Sequence, residues 1–203
     1  MVIDETTYAL SVDNYIPIIS NKSQIIIGHT SNNNMKHVIG WKHRYNGLYK
    51  KTAQYTITTS GIIYQHFNPK YTSNYFKDKN LNDRSIIILL ENDGWLLKDI
   101  EKNVFITWVG DIYNTSNEVV EKKWRGYTYW SKYTNEQIQS TQELVKMLAN
   151  EFSISLTSIS HNTKIDKLAE HEGVIYNSNL DKNKRDLNPS WNFESFKNKI
   201  ELT

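Results

Sequence analysis

Two uninterrupted aliphatic runs, Gln24-Ile25-Ile26-Ile27 and Ser85-Ile86-Ile87-Ile88-Leu89-Leu90, constrain this chain more than any other feature. Such β-branched runs are too short for buried helices and lack the alternation of a half-exposed strand, so each is predicted to be a buried strand. The first ends at Gly28-His29-Thr30, so polar groups stand at a strand tip, a common place for chemistry. After Ser31 to Asn34 the apolar positions Met35, Val38, Ile39, Tyr45 and Leu48 predict a helix of about 14 residues with the asparagines capping its start. Ala53 to Ile57 and Ile62 to His66 flank Thr58-Thr59-Ser60-Gly61 and read as a β-hairpin. Thr134-Asn135-Glu136-Gln137 matches a capping box, followed by the apolar stripe Ile138, Leu144, Val145, Leu148 and Phe152. Strand-like pieces at Ile154 to Ser160 and Val174 to Tyr176 precede a short last helix near Trp191 to Lys199. Strands alternating with helices predict an α/β fold with a mixed central sheet flanked by helices.

At 203 residues the chain is long enough to bury a full core, and nothing in it resembles a linker or a repeat, so a single domain over 1–203 is expected. Its aromatic-rich stretch from Asp93 to Tyr133 lacks helical periodicity and reads as a β-excursion. Within it, Trp124-Arg125-Gly126-Tyr127-Thr128-Tyr129-Trp130 suits sugar stacking, a protein interface, or ordinary packing. A net charge of +2 is too balanced for the basic stripe of a nucleic-acid binder. The absence of cysteine excludes disulfides, thiolate zinc sites and thiol nucleophiles. No apolar run is long enough for a membrane span, and Asp4, Glu5 and Asp13 stand where a signal peptide would be basic and then apolar. The bias toward Asn, Ile, Lys and Tyr suggests an AT-rich coding genome.

Isolated motifs fail. His37 and His43 are six apart and cannot pair at i, i+4, and His171-Glu172 has Ile175 where a zinc-protease motif needs histidine. The ordered constellation says more: Ile25-Ile26-Ile27-Gly28-His29-Thr30, the hairpin Ala53-Gln54-Tyr55-Thr56-Ile57 to Gly61-Ile62-Ile63-Tyr64-Gln65, the strand after Asn82-Asp83-Arg84, then Gly173-Val174-Ile175-Tyr176-Asn177 and Lys184-Arg185-Asp186. In order and spacing it resembles the type-2 N-acetylmuramoyl-L-alanine amidases, zinc enzymes related to peptidoglycan recognition proteins and phage endolysins. The resemblance spans about residues 15 to 196.

The resemblance implies an amidase-like domain with zinc ligands at His29 and Asp186, and it puts Asn177 where the second histidine ligand belongs. A neutral carboxamide is a far poorer zinc ligand than imidazole. Leu89 occupies the slot of the family's glutamate base, and Ala53 with Gln54 the slot of its tyrosine–histidine pair, leaving Lys184 as the catalytic remnant. Tyr55, one residue on, is the alternative for the tyrosine, and His161 for a substitute ligand. The expectation is therefore a phage protein with a degraded site and no zinc, serving as a virion component or binding module, with other virion proteins or peptidoglycan as partners. It would reside in the virion, or otherwise in the host cytoplasm. The alternative is an active zinc amidase that cleaves host peptidoglycan. His29 and Asp186 should meet at one end of the sheet with Asn177 beside them, and Leu89 should be packed among apolar neighbours.

Overall fold

The computed structural model describes residues 1–32, 34–113, 118–159 and 163–201. Two sheets organise it. The larger has strand order β1-β4-β3-β5-β2-β10, formed by β1 (Ile3–Asp4), β2 (Gln24–His29), β3 (Tyr55–Ile57), β4 (Ile63–Gln65), β5 (Ser85–Leu90) and β10 (Gly173–Tyr176). All pairings are parallel except the β3–β4 hairpin, so the sheet is mixed. The two aliphatic runs become neighbouring central strands in register, Ile25 opposite Ile86 and Gly28 opposite Leu89.

Helices cover both faces, which is why these strands carry no polar alternation. On one face Ile25, Ile27, Tyr55, Ile86, Ile88 and Leu90 pack against α3 (Asn135–Phe152) and α5 (Phe193–Glu201). The threonine half of the expected capping box holds α3, with Thr134 Oγ1 accepting from the Gln137 N–H at 3.1 Å, whereas the Gln137 side chain donates to the carbonyls of Ile57 and Glu91 instead of returning to the cap. On the opposite face Ile87 and Leu89 pack under Val38 and Trp41 of α1 (Lys36–His43), while Ile26 and Ile175 meet Leu81 of α2 (Lys79–Arg84). The segment Asn177–Leu180 forms a short helix, α4, directly after β10.

The excursion forms a second, antiparallel sheet, ordered β7-β6-β9-β8, from β6 (Trp95–Asp99), β7 (Val104–Thr107), β8 (Val119–Trp124) and β9 (Tyr127–Ser131). It leaves the main sheet just after β5, at the C-terminal ends of the parallel strands. Trp108 Nε1 donates to the Ser31 carbonyl at 2.5 Å, tying the excursion to the loop after β2.

Three local expectations are corrected. The first helix stops at His43, because Tyr45 and Asn46 turn left-handed at φ 51° and 53°, so Tyr45 and Leu48 are exposed rather than a continuing apolar stripe, and Ile39 stands on the exposed side of the helix. Its start is held by Glu91, whose carboxylate accepts the Met35 N–H at 2.7 Å, rather than by an asparagine cap. Of the piece Ile154 to Ser160, whose last residue lies outside the described set, only Ser158 bridges to Val174. The helix α2 was not foreseen; Asp78 caps it by accepting from the N–H groups of Asn80 and Leu81.

Candidate functional site

Strand register lays one row of residues across the α1-covered face: Tyr64 beside Thr56, Thr56 beside Leu89, Leu89 beside Gly28, and Asn177 just past the end of β10 beside β2. Paired residues of neighbouring strands share a face, so this row is the floor of any site here. Its chemistry gathers at the Gly28 end.

There Asp186 arrives on the loop after α4, buried at 7% exposure. Its Oδ2 accepts from the His29 backbone N–H at 3.0 Å and from Asn177 Nδ2 at 2.5 Å. His29, Asn177 and Asp186 therefore do converge, as the family resemblance implied. The convergence runs through the backbone of His29 and not through its ring.

A side chain alternates across a strand, and His29 faces the side opposite Gly28. Its Nδ1 lies 2.8 Å from the Tyr133 hydroxyl, and its Nε2 lies over Gly94, where a Cβ would come within 3.2 Å. Gly94 also holds φ +77°, which glycine adopts without strain. The Asn188 N–H donates to the Tyr133 oxygen at 3.3 Å, so the phenol joins His29 to the loop that carries Asp186. Burial pushes the His29 pKa down and keeps the imidazole neutral; the Asp186 charge opposes this and Lys184 adds to it.

The position that does point at Asp186 is Gly28. A Cβ built on Gly28 would overlap Asn177 Nδ2 and lie 2.7 Å from Asp186 Oδ2. The space that a residue at this position would use is filled by the Asn177 amide. Asn177 Oδ1 is itself buried without a hydrogen-bond partner. Burial and the nearby Asp186 charge raise the Tyr75 pKa, with the Asn177 side chain acting in the opposite direction.

These donors do not fit a zinc ion. Structural and catalytic zinc needs at least three protein ligands converging at about 2 Å. Here only Asp186 offers an anionic oxygen, Asn177 turns an N–H toward it, and the His29 ring is engaged on the other side of the strand. Among the described residues no group of three or more His, Asp or Glu side chains is placed to hold a metal. The implied assignment of His29 as a ligand is thus corrected, and His161 lies outside the described residues.

Leu89 is 3% exposed within the apolar cluster under α1. Ala53 is fully buried, and Gln54 is spent on the backbone, donating to Tyr71 O at 3.1 Å and accepting from the Ile87 N–H at 2.9 Å. Tyr55 points into the opposite core and donates to Gln65 Oε1 at 2.8 Å, so it is no substitute on this face. Lys184 is exposed, and its carbonyl is held by Arg125. Arg125, at the β8–β9 turn, also donates to the carbonyls of Ser178 and Asp181, both at 3.0 Å, and so clamps the loop leading to Asp186. The aromatic stretch around it is mutually packed, with Trp95 stacked on Tyr127 at 4.1 Å and Arg185 above Tyr127 at 4.8 Å.

Sequence reasoning missed a hydrogen-bonded relay on the same floor. His66 Nδ1 lies 3.0 Å from the Tyr8 carbonyl, which only accepts, so Nδ1 carries the proton and Nε2 accepts from Thr56 Oγ1–H at 2.8 Å. Thr56 Oγ1 in turn accepts from His37 Nε2–H at 2.9 Å, leaving His37 Nδ1 a buried lone pair without a partner. Desolvation lowers His37 to about 3 and His66 to about 4. No sequence spacing signals this, because its members come from α1, β3 and the end of β4.

Comparison with known proteins follows this geometry. The family model for N-acetylmuramoyl-L-alanine amidase matches residues 20–186. No curated protein matches the chain. Among solved structures it is similar to the N-acetylmuramoyl-L-alanine amidase LysC from Clostridium intestinale URNW (15% identity, 100% of this chain and 99% of that one, TM-score 0.56). It is also similar to a mutant endolysin from Bacillus subtilis (16% identity, 98% and 99%, TM-score 0.56). A third match is AmiD from E. coli, solved with anhydro-N-acetylmuramic acid-L-Ala-D-gamma-Glu-L-Lys (15% identity, 91% and 59%, TM-score 0.55). At such identities these structures speak for the fold alone. The family match covers most of the chain, and the chain belongs to the N-acetylmuramoyl-L-alanine amidase family.

Proposed function

We propose that this chain is a non-catalytic member of the amidase family, carried by a phage and used as a virion component or as a peptidoglycan-binding module, with no resident zinc. One observation carries the reading: the position aimed at Asp186 is Gly28, and the Asn177 amide fills the space beside it. An N–H donor facing a carboxylate does locally what a cation would do, balancing the buried charge by hydrogen bonding. Leu89 supports the same reading, since an aliphatic side chain takes no proton from water. A fold outlasts its chemistry because the core pattern and the site are separate sets of residues.

The test is metal content and stem-peptide release measured on the purified chain. The expected result is no stoichiometric zinc, no change in melting temperature with a chelator, and no release from purified peptidoglycan. Stoichiometric zinc removed by chelator, together with peptide release abolished by Asp186→Ala, would establish the active zinc amidase instead. Sedimentation with insoluble peptidoglycan separates the binding module from a purely structural part. Mass spectrometry of purified phage particles decides the virion role.

A further inference from the structure

A second surface carries charge of one sign. From Lys22 to Lys77 every Asp, Glu, Lys or Arg position is a Lys or Arg, although the whole chain is nearly neutral. Part of this segment folds into a groove between the end of α1 and the loop before α2, lined by Arg44, Tyr45, Tyr49, Lys50, Lys51 and Asn74. Among the described residues none of the salt bridges involves Arg44, Lys50 or Lys51.

The groove wall is held in place from within. Tyr45 and Asn46 take left-handed backbone angles that non-glycine residues rarely adopt, and Gly47 follows at φ +85°. Such a conformation persists where surrounding contacts over-determine it, and it clusters at binding sites. Here the buried Asn14 amide donates to the carbonyls of Trp41, Gly47 and Tyr49, and Asn74 N–H donates to Lys50 O at 2.8 Å. The result holds Tyr45 outward at 76% exposure, stacked at 5.9 Å on Tyr49, with the Arg44 guanidinium 5.4 Å above the Tyr49 ring.

We propose that this groove binds a flexible phosphate polyanion, read through its charge. Three cations on one groove wall, none of them in a salt bridge among the described residues, match the charge of a repeated anion. Single-stranded nucleic acid is disfavoured because it needs successive aromatic platforms, and here one ring is presented while the second is covered by its stacking partner and by Arg44. The proposal does not depend on whether the Asp186 site is catalytic.

The test is titration of the whole chain with a synthetic oligo(glycerol phosphate) at 50 and at 500 mM salt. Saturable binding is expected at the lower salt, weakening about 100-fold at the higher if roughly three ion pairs form at a slope near 0.7 each. The triple variant Arg44→Gln, Lys50→Gln, Lys51→Gln should lose at least 10-fold at unchanged melting temperature. Removing equal charge elsewhere, by Lys102→Gln, Lys197→Gln and Lys199→Gln, should leave binding as it was, and Lys50→Arg with Lys51→Arg should retain it. No saturable binding at 50 mM salt, an equal loss in the control triple variant, or equal binding of polyglutamate would overturn the proposal. Tighter binding of oligothymidylate at matched charge would replace it with a nucleic-acid site.

Discussion

Gly28 is the residue on which the site turns, because a single added methyl group meets the Asn177 amide and the Asp186 carboxylate at once. Overpacking of this kind costs about 1–3 kcal/mol. Gly28→Ala should therefore lower stability by that amount in denaturant unfolding, and Asn177→Ala in the same chain should recover part of it, since contacting sites are not additive. Additive losses would show that the close approach is relieved elsewhere. Adding a metal site should take two changes: Gly28→His with Asn177→His should bring two imidazoles to Asp186 and confer zinc uptake measurable by calorimetry, whereas Asn177→His alone should not. The histidines of the relay make a separate prediction. His37 and His66 titrate near 3 and 4 when folded but near the ordinary 6.5 when unfolded, so the unfolded chain binds more protons below pH 6.5. Stability should be fully present above about pH 6.5 and fall below it by about 1.4 kcal/mol per pH unit for each histidine until the folded values are reached. His66→Gln should flatten that slope, and an unchanged slope would sink the assignment.

At the scale of elements, the β8–β9 turn acts as one unit with α4 and the loop after it. Arg125 donates to the carbonyls of Ser178 in α4 and of Asp181 and Lys184 in that loop, and Arg185 covers Tyr127 in return. Arg125→Ala should expose the loop without unfolding the sheet, read as faster hydrogen exchange at residues 178–185 with protection in β2 and β5 unchanged. Equal loss of protection in both regions would mean that the excursion supports the core rather than the loop. The helix α3 differs in kind, for its hold is apolar: Leu144, Val145 and Leu148 are fully buried against the face that carries Ile25 and Ile86. Fully burying each such side chain is worth about 1.5–3 kcal/mol.

For the whole molecule, two sheets share one chain, but their connections differ: the main sheet is closed between helices, while the excursion projects from the strand ends. The central strands and the helix α3 were legible in the amino-acid order because each is a local pattern, aliphatic runs for β2 and β5, a cap and a stripe for α3, a turn between β3 and β4, whereas α2 and α4 were not. The family was legible too, since several short motifs keep their order over most of the length. What only the tertiary structure decided was side-chain direction. His29 stands in the right strand one residue away from the position that faces Asp186, and a one-residue step along a strand reverses the face. The first helix likewise broke at Tyr45 where its apolar spacing continued, because left-handed backbone at Tyr45 and Asn46 is stabilised by the distant Asn14 amide. The His37–Thr56–His66 relay joins three elements that no spacing links. Local patterns record which residues prefer to be strand or helix; which side chains meet across strands depends on register and on loops arriving from far along the chain, and those are properties of the packed whole.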